Sequence, residues 1–208
     1  MKVLVLGATG GVGAHVLRVA LSAGHEVTVL VRDPSALDVT DGVRVLTGDA
    51  TSTADVELAV AGQDAVLTAI GSRQVRHPVE ADVTAVLVPA LEGAGVDRLV
   101  VCSAFGVGDS ENEAGTLQKM FFHTVLGKVY AAKEVADAAV RASGLDWTLV
   151  YPTRLTDDPA TGELAIGEHL PDGATMQVTR ADVASFMLDQ LGRDTWSRKT
   201  VIVTGAAD

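Results

Sequence analysis

Seven residues near the start of the chain, Gly7-Ala8-Thr9-Gly10-Gly11-Val12-Gly13, combine types and spacing suited to holding phosphate. Gly7 allows a tight turn and Gly10 lets the backbone approach a pyrophosphate. Gly13 lets a helix pack close to a sheet, with the phosphates at that helix's N-terminus. The triplet follows the apolar run Val3-Leu4-Val5-Leu6 and opens a helical pattern, the strand-turn-helix context that dinucleotide binding requires; a merely structural turn is the other reading. The second strand pattern ends at Val31-Arg32-Asp33. An acidic residue here accepts hydrogen bonds from the ribose 2′-hydroxyl of NAD, whereas an arginine pairs with the 2′-phosphate of NADP. Arg32 favours NADP; the alternative is a solvated Arg32 with Asp33, before Pro34, as a helix cap.

Other candidates are weaker. A Tyr-x-x-x-Lys pair would signal proton donation by a tyrosine, but four residues after Tyr130 stands Glu134, and Lys133 is one position early. Reduction of a ketone by that mechanism is disfavoured. The five histidines, at 15, 25, 77, 123 and 169, have no ligand-like spacing, so no metal site is expected. Cys102 lies inside an apolar strand pattern and reads as a small hydrophobe. Six of the eight aromatic residues fall between residues 105 and 151; Trp147 reads as a packing residue, and Phe105, Phe121, Phe122, Tyr130 and Tyr151 as walls for a planar substrate, with Phe121 and Phe122 alternatively the buried face of a helix. Gly106-Val107-Gly108-Asp109-Ser110 suggests a mobile loop in a lid position.

The elements that must position these residues alternate. Strand patterns fall at Val3–Leu6, Val27–Val31, Val43–Leu46, Ala65–Ile70, Leu99–Cys102 and Thr148–Tyr151, mostly too continuous to have a wet face. Helical patterns cover Val12–Ala23, Ala54–Ala61, Val79–Ala94 and Tyr130–Ala142, each closed by a glycine: Gly24, Gly62, Gly95 and Gly144. Thr179-x-x-Asp182 resembles a capping box before a helix with Val183, Phe186, Met187 and Leu191 on its core face, and Thr200–Thr204 reads as a last strand. Residues 152–178 are irregular, with a short strand at Leu164–Ile166, and form the expected substrate-side cap. This order predicts right-handed crossovers and a doubly wound parallel sheet.

Composition narrows the function. The 208 residues suit one domain, 1–208, with 48% hydrophobic and 21% charged residues, far from a disordered composition. A net charge of -11 opposes phosphate neutralisation over a nucleic-acid surface, so no nucleic-acid partner is expected. No stretch approaches the length of a membrane span, no signal peptide is legible, and one cysteine fits a reducing compartment; a cytoplasmic location without membrane contact follows as the expectation. The oligomeric state stays open between monomer and homodimer.

Gly7-Ala8-Thr9-Gly10, Leu30-Val31-Arg32-Asp33, Gly48-Asp49, Ala61-Gly62-Gln63-Asp64-Ala65-Val66, Gly71-Ser72-Arg73, Ser103-Ala104-Phe105 and Ser143-Gly144-Leu145 together resemble a known group. It is the atypical short-chain dehydrogenases, near the NmrA-like and NAD(P)H-binding families, and within them the biliverdin reductase B or flavin reductase type. The resemblance covers nearly the whole chain, most strongly through residue 105 and from Arg141 to Tyr151. It implies a Rossmann α/β fold with a small C-terminal substrate cap. It also implies that Thr9, Gly10, Val12 and Gly13 contact the pyrophosphate, Arg32 and Ser35 the 2′-phosphate, and Asp49 with Ala50 the adenine. Gly71, Ser72 and Arg73 would lie along the ribose and phosphates, Ser103 beside the reacting centre, and Pro152 against the nicotinamide. For three of these a plainer role stands beside the implied one: Asp49 as a turn cap, Arg73 with Arg76 and His77 as a solvated basic cluster, and Ser103 as an ordinary strand-end serine. Arg154 occupies the position of a histidine near the substrate in that group. A guanidinium stays protonated and cannot cycle as a general acid, although it can hold an anionic or carbonyl group, which argues against biliverdin itself.

The function so implied is an NADPH-dependent oxidoreductase reducing a flavin such as FMN, or a similar small planar molecule, with Ser103 and Arg154 at the reacting ring. The alternative is a non-catalytic NAD(P)-binding sensor of the NmrA-like kind. A nucleotide-sugar epimerase or dehydratase fits the fold but wants more chain than residues 152–208 provide.

Overall fold

The computed structural model describes residues 1–71, 77–116, 120, 124 and 126–206. Ten strands and five helices are described: β1 (Lys2–Leu6), α1 (Gly11–Ser22), β2 (Glu26–Val31), β3 (Val43–Thr47), α2 (Thr53–Val60), β4 (Ala65–Thr68), α3 (Glu80–Ala94), β5 (Arg98–Cys102), α4 (Gly127–Ala142), β6 (Asp146–Pro152), β7 (Arg154–Thr156), β8 (Leu164–Gly167), β9 (Gln177–Thr179), α5 (Arg180–Asp189) and β10 (Lys199–Gly205). Eight of the strands form one sheet in the order β3-β2-β1-β4-β5-β6-β10-β8, parallel except where β8 pairs antiparallel with β10. The chain winds outward from β1 to β3, returns to lay β4 against the other side of β1, and continues outward. That reversal leaves a crevice at the carboxyl ends of β1 and β4, where ligands settle in such sheets.

The sheet is covered on both faces, and period-2 alternation sorts its side chains between them. Val3 and Val5 of β1, Val27, Val29 and Val31 of β2, and Val201 and Val203 of β10 join Val16, Leu17, Val183 and Met187 in the core under α1 and α5. Leu4 and Leu6, Leu30, and Ile202 point the other way, to the core under α2, α3 and α4. The continuous apolar strand patterns have this cause, because both faces of each strand are dry.

The observed elements match the patterned ones to within a few residues, with two refinements. Gly95 caps α3 in a left-handed conformation (φ 68°) as expected, but α4 ends on Ser143 rather than Gly144; the Ser143 hydroxyl donates to the Val140 carbonyl at 2.7 Å. The segment after β5 is also more built than a free lid. A two-turn 3-10 helix spans Gly108–Glu113, and the buried Ser110 hydroxyl donates to the Val107 carbonyl at 2.8 Å and accepts from the Gly106 amide at 2.9 Å. At its far end the Glu113 carboxylate accepts from the Leu170 amide at 2.6 Å.

Two charged residues hold the sheet to its flanks. At the amino end Arg98 is buried and donates to the Gln190 carbonyl (3.0 and 2.8 Å), the Asp146 carbonyl (2.9 Å) and the Thr148 hydroxyl (2.8 Å), tying β5, β6 and the end of α5. At the head of α5 Asp182, 4% exposed, is the fourth residue of the expected capping box: its amide donates to the Thr179 hydroxyl at 3.0 Å. Its carboxylate also reaches outward, accepting from the amides of Thr161 and Gly162, each at 2.9 Å. Burial pushes this carboxyl up, but those amides and the hydroxyls of Thr179 and Thr161 outweigh burial and hold it below the usual carboxylate value.

Asp182→Ala should therefore lower stability by about 2–3 kcal/mol, the range for hydrogen bonds to a charged group. Because the folded-state pKa is depressed, the stability from ionised Asp182 is complete above the unfolded value of about 4 and is lost as pH falls through the lower folded value. Denaturant unfolding followed by circular dichroism should show a constant gap between wild type and variant at neutral pH that narrows only below about pH 4.

Candidate functional site

The glycine turn is held by two contacts that admit no side chain. Gly7 has φ +84°, and a Cβ there would lie 2.6 Å from the Ala69 carbonyl oxygen, at the end of β4. A Cβ on Gly13 would lie 2.0 Å from the Gly7 carbonyl oxygen. Helix α1 therefore rests directly on the turn leaving β1, and its first turn stands at the crevice. The Gly10 amide donates to the Gly7 carbonyl at 2.8 Å, and Gly10 is the N-cap of α1, extended and without a capping side chain. No acidic residue occupies the first turn of α1 or of α4, whereas α2 and α5 each carry one and α3 carries two. Val12 puts its side chain into the core, leaving its contribution at the turn to the backbone. A neutral, uncapped helix start behind a backbone-only cradle fits a dinucleotide's phosphates.

On the adenosine side Arg32, Asp33 and Ser35 are exposed at the end of β2. Asp33 accepts from the Ser35 hydroxyl (2.6 Å) and amide (2.9 Å), and these bonds hold its carboxyl below the usual range. Asp33 is thus the cap of the 3-10 turn Pro34–Ala36, the plainer of its two roles, while Arg32 is separately available to solution. Asp49 accepts from the amide (2.9 Å) and hydroxyl (2.8 Å) of Thr51, so it too caps a turn; those bonds and then the charge of Arg32 depress its pKa. Ala50 packs against the core beneath α2. Gly71 follows β4, and a Cβ there would meet nothing within 4 Å. Ser72, Arg73 and Arg76 lie outside the described residues, as do Phe121, Phe122 and His123.

At the reaction side Ser103 follows β5 and is buried. Its hydroxyl donates to Asp137 Oδ2 at 2.6 Å, and the Tyr151 hydroxyl donates to the same oxygen at 2.7 Å. Arg141 in turn donates to the Tyr151 hydroxyl at 2.8 Å. The direction of this chain is set: Arg141 has only donors, so Tyr151 spends its proton on Asp137, and Oδ2, accepting twice, carries none. Asp137 is 1% exposed; burial pushes its carboxyl above the ordinary value, opposed by the two hydroxyls and the charges of Lys133 and Arg141. Ser103 and Asp137 line one cleft with Thr68, Glu80 and Lys133. Cys102 is buried beside them, its thiol pushed up to about 11 by burial, the behaviour of a packing residue.

Two expected participants stand elsewhere. Tyr130 donates its hydroxyl to the Phe105 carbonyl at 3.0 Å, and burial pushes the phenol up to about 12. Arg154, on β7, is exposed and pairs with Gln177 of β9 through a short hydrogen bond; it does not line the cleft that holds Ser103. Pro152 ends β6, and its carbonyl accepts from the Phe105 amide at 3.0 Å, fixing the segment after Ser103. Sequence reasoning missed Asp137, Arg141 and Arg180. The i, i+4 spacing of Lys133, Asp137 and Arg141 on α4 was the available signal, since it places the three on one face.

Comparison with known proteins places the chain by sequence and by fold. A Bacillus subtilis protein named uncharacterized sugar epimerase YhfK is 27% identical over 200 residues, covering 92% of this chain and 88% of that one. Among solved structures, ChuY from Escherichia coli O157:H7, described as an anaerobillin reductase, has a TM-score of 0.84 at 25% identity, covering 98% of this chain and 96% of its own. A Veillonella parvula short-chain dehydrogenase/reductase in complex with NADP shares the fold, with a TM-score of 0.78 at 23% identity over 97% of this chain and 93% of that one. The sequence model of the NAD(P)H-binding family matches from residue 7, the first glycine of the cradle, to residue 194, beyond the end of α5. Over that span the chain belongs to the NAD(P)H-binding family.

Proposed function

We propose that the protein is an NADPH-dependent reductase whose acceptor is a flavin or a similar planar, conjugated molecule that takes its proton from water. One observation carries this reading: two candidate hydroxyls are already committed as donors, Ser103 to Asp137 in the cleft and Tyr130, outside its lining, to the Phe105 carbonyl. A carbonyl substrate needs a proton as the hydride arrives; a flavin or quinone ring spreads the negative charge and does not. NADPH, when bound, supplies the hydride. Gly7, Thr9, Gly10 and Gly13 hold the phosphates by backbone approach, with the Val12 amide at the helix start. Arg32, beside Ser35, meets the 2′-phosphate, Asp49 and Ala50 border the adenine, and Gly71 lies along the ribose and phosphates. Ser103, its proton spent, offers lone pairs to a hydrogen-bond donor such as a carboxamide or ring N–H. Lys133 faces the same cleft as the positive charge for an acceptor gaining electrons. Residues 152–179, with Pro152 and Arg154, border the substrate side, where Arg154 can hold an anionic group rather than act as an acid. The similarity to ChuY supports a reductase.

NADPH oxidation followed at its absorbance should proceed with FMN, riboflavin and small quinones and not with simple ketones. Ser103→Ala and Tyr130→Phe should each lower kcat by less than about tenfold, far short of the 10²–10⁴ that removal of a general acid takes away. A larger loss in either variant would make that residue the proton donor and sink the mechanism. Tight NADPH binding with no turnover of any of these acceptors would favour the non-catalytic sensor.

Calorimetric titration should give a lower Kd for NADPH than for NADH. Arg32→Ala should erase most of that difference, weakening NADPH by about tenfold or more and leaving NADH nearly unchanged. A wild-type preference for NADH overturns the NADPH assignment.

A further inference from the structure

The cradle uses Gly7, Gly10 and Gly13 and leaves Gly11 without a role in it. The structure supplies one: a Cβ on Gly11 would lie 2.5 Å from Nε and 2.7 Å from Cδ of Arg180. The arginine side chain lies flat on the first residue of α1, and Gly11 is what makes room for it. Arg180 is the first residue of α5, the helix that packs along α1, so backbone packing brings it there. Residues 7–13 carry no charged side chain, so the cradle offers a diphosphate only amides, the Thr9 hydroxyl and the partial charge of a helix end. Arg180 sets a full positive charge against that same turn.

What holds Arg180 now is an acid from the neighbouring strand, since β7 and β9 pair with Thr156 opposite Thr179. Its Nη1 is 2.7 Å from Oδ1 of Asp157, the residue following β7. The arginine side chain is 26% exposed and the aspartate 87%, so a shielded cation is paired with an acid almost wholly in water, an arrangement that contributes little and exchanges readily. A diphosphate offers two charges and bidentate geometry to the same guanidinium.

We propose that Arg180 is a diphosphate-binding residue and that Asp157 holds its place until the dinucleotide arrives; the inference rests on the dinucleotide reading of the glycine cradle. The exchange ties cofactor to substrate cap. When the guanidinium turns from Asp157 to phosphate, the segment after β7 gives up one contact with α5 and keeps the others, the Thr161 and Gly162 amides on Asp182 and the pairing of β7 with β9.

The test is equilibrium binding of NADPH and NADH to the full chain and three variants, by calorimetry, without turnover. Arg180→Ala should weaken both dinucleotides by the same factor, about tenfold or more, because the diphosphate is common to them; Arg180→Lys, which keeps charge but loses the fork, should fall between. Asp157→Asn should tighten both by about two- to fivefold by removing the competing anion, a gain that a folding defect does not produce. A loss in Arg180→Ala confined to NADPH would make it a 2′-phosphate contact and overturn the proposal, as would unchanged affinities in both arginine variants. Unchanged affinity in Asp157→Asn would overturn the exchange. Failure of the wild-type protein to bind either dinucleotide would overturn the reading of the cradle, and this inference with it.

Discussion

The contact on which the rest of the molecule depends is the approach of Gly13 to the Gly7 carbonyl, where a side chain's first carbon would stand 2.0 Å away. It docks the head of α1 on the turn leaving β1, and Gly7 is itself pressed against Ala69 beyond β4. One backbone-to-backbone stack therefore fixes the positions of β1, α1 and the end of β4 together. These are the three elements that bound the crevice left by the reversal of strand order. Any side chain in this stack would push α1 off the sheet and move the uncapped amides that face the crevice. The same close approach brings α1 within reach of α5, which is how an arginine 167 residues downstream of Gly13 in the chain comes to lie on Gly11.

The buried polar groups divide between the two ends of the sheet. At the amino end Arg98 is held by carbonyls and a hydroxyl from β6 and the end of α5, a structural clamp in which all three guanidinium nitrogens are bonded. At the carboxyl end Asp137 accepts two hydrogen bonds on one oxygen, and one of the donors, Ser103, faces the cleft. A buried carboxylate is expensive to hold unless hydrogen bonds and opposite charge compensate, and here Ser103, Tyr151, Lys133 and Arg141 all do so. The clamp fixes strands; the carboxylate fixes the orientation of a hydroxyl.

Much of this was legible in the chain. Continuous β-branched runs alternating with 3.6-period stripes are dictated by a sheet buried on both faces, so strand and helix positions followed directly from patterns such as Val3–Leu6 and Val79–Ala94. The cradle was legible too, because Gly7 and Gly13 are demanded by local sterics. What stayed hidden depends on tertiary meeting of distant residues: Asp137 with Ser103 across 34 positions, and Arg180 with Asp157 across 23. Pattern reasoning placed Arg154 near Ser103 by analogy, whereas pairing of β7 with β9 draws it to Gln177. Short strands of three residues have too little pattern to reveal such a pairing.

The hydrogen-bond polarity under Ser103 bears on why a fold of this kind can dispense with a tyrosine acid. A serine with a free proton can donate to a developing alkoxide; a serine whose proton is held by a buried carboxylate cannot, and an added negative charge in that cleft would meet the carboxylate as well. Asp137 thus acts against localised negative charge at a single oxygen while tolerating charge spread over a ring, with Lys133 as counter-ion in the same cleft. On the function proposed above, the glycine cradle selects for a dinucleotide, and the carboxylate beneath the serine would select among the molecules that accept its hydride.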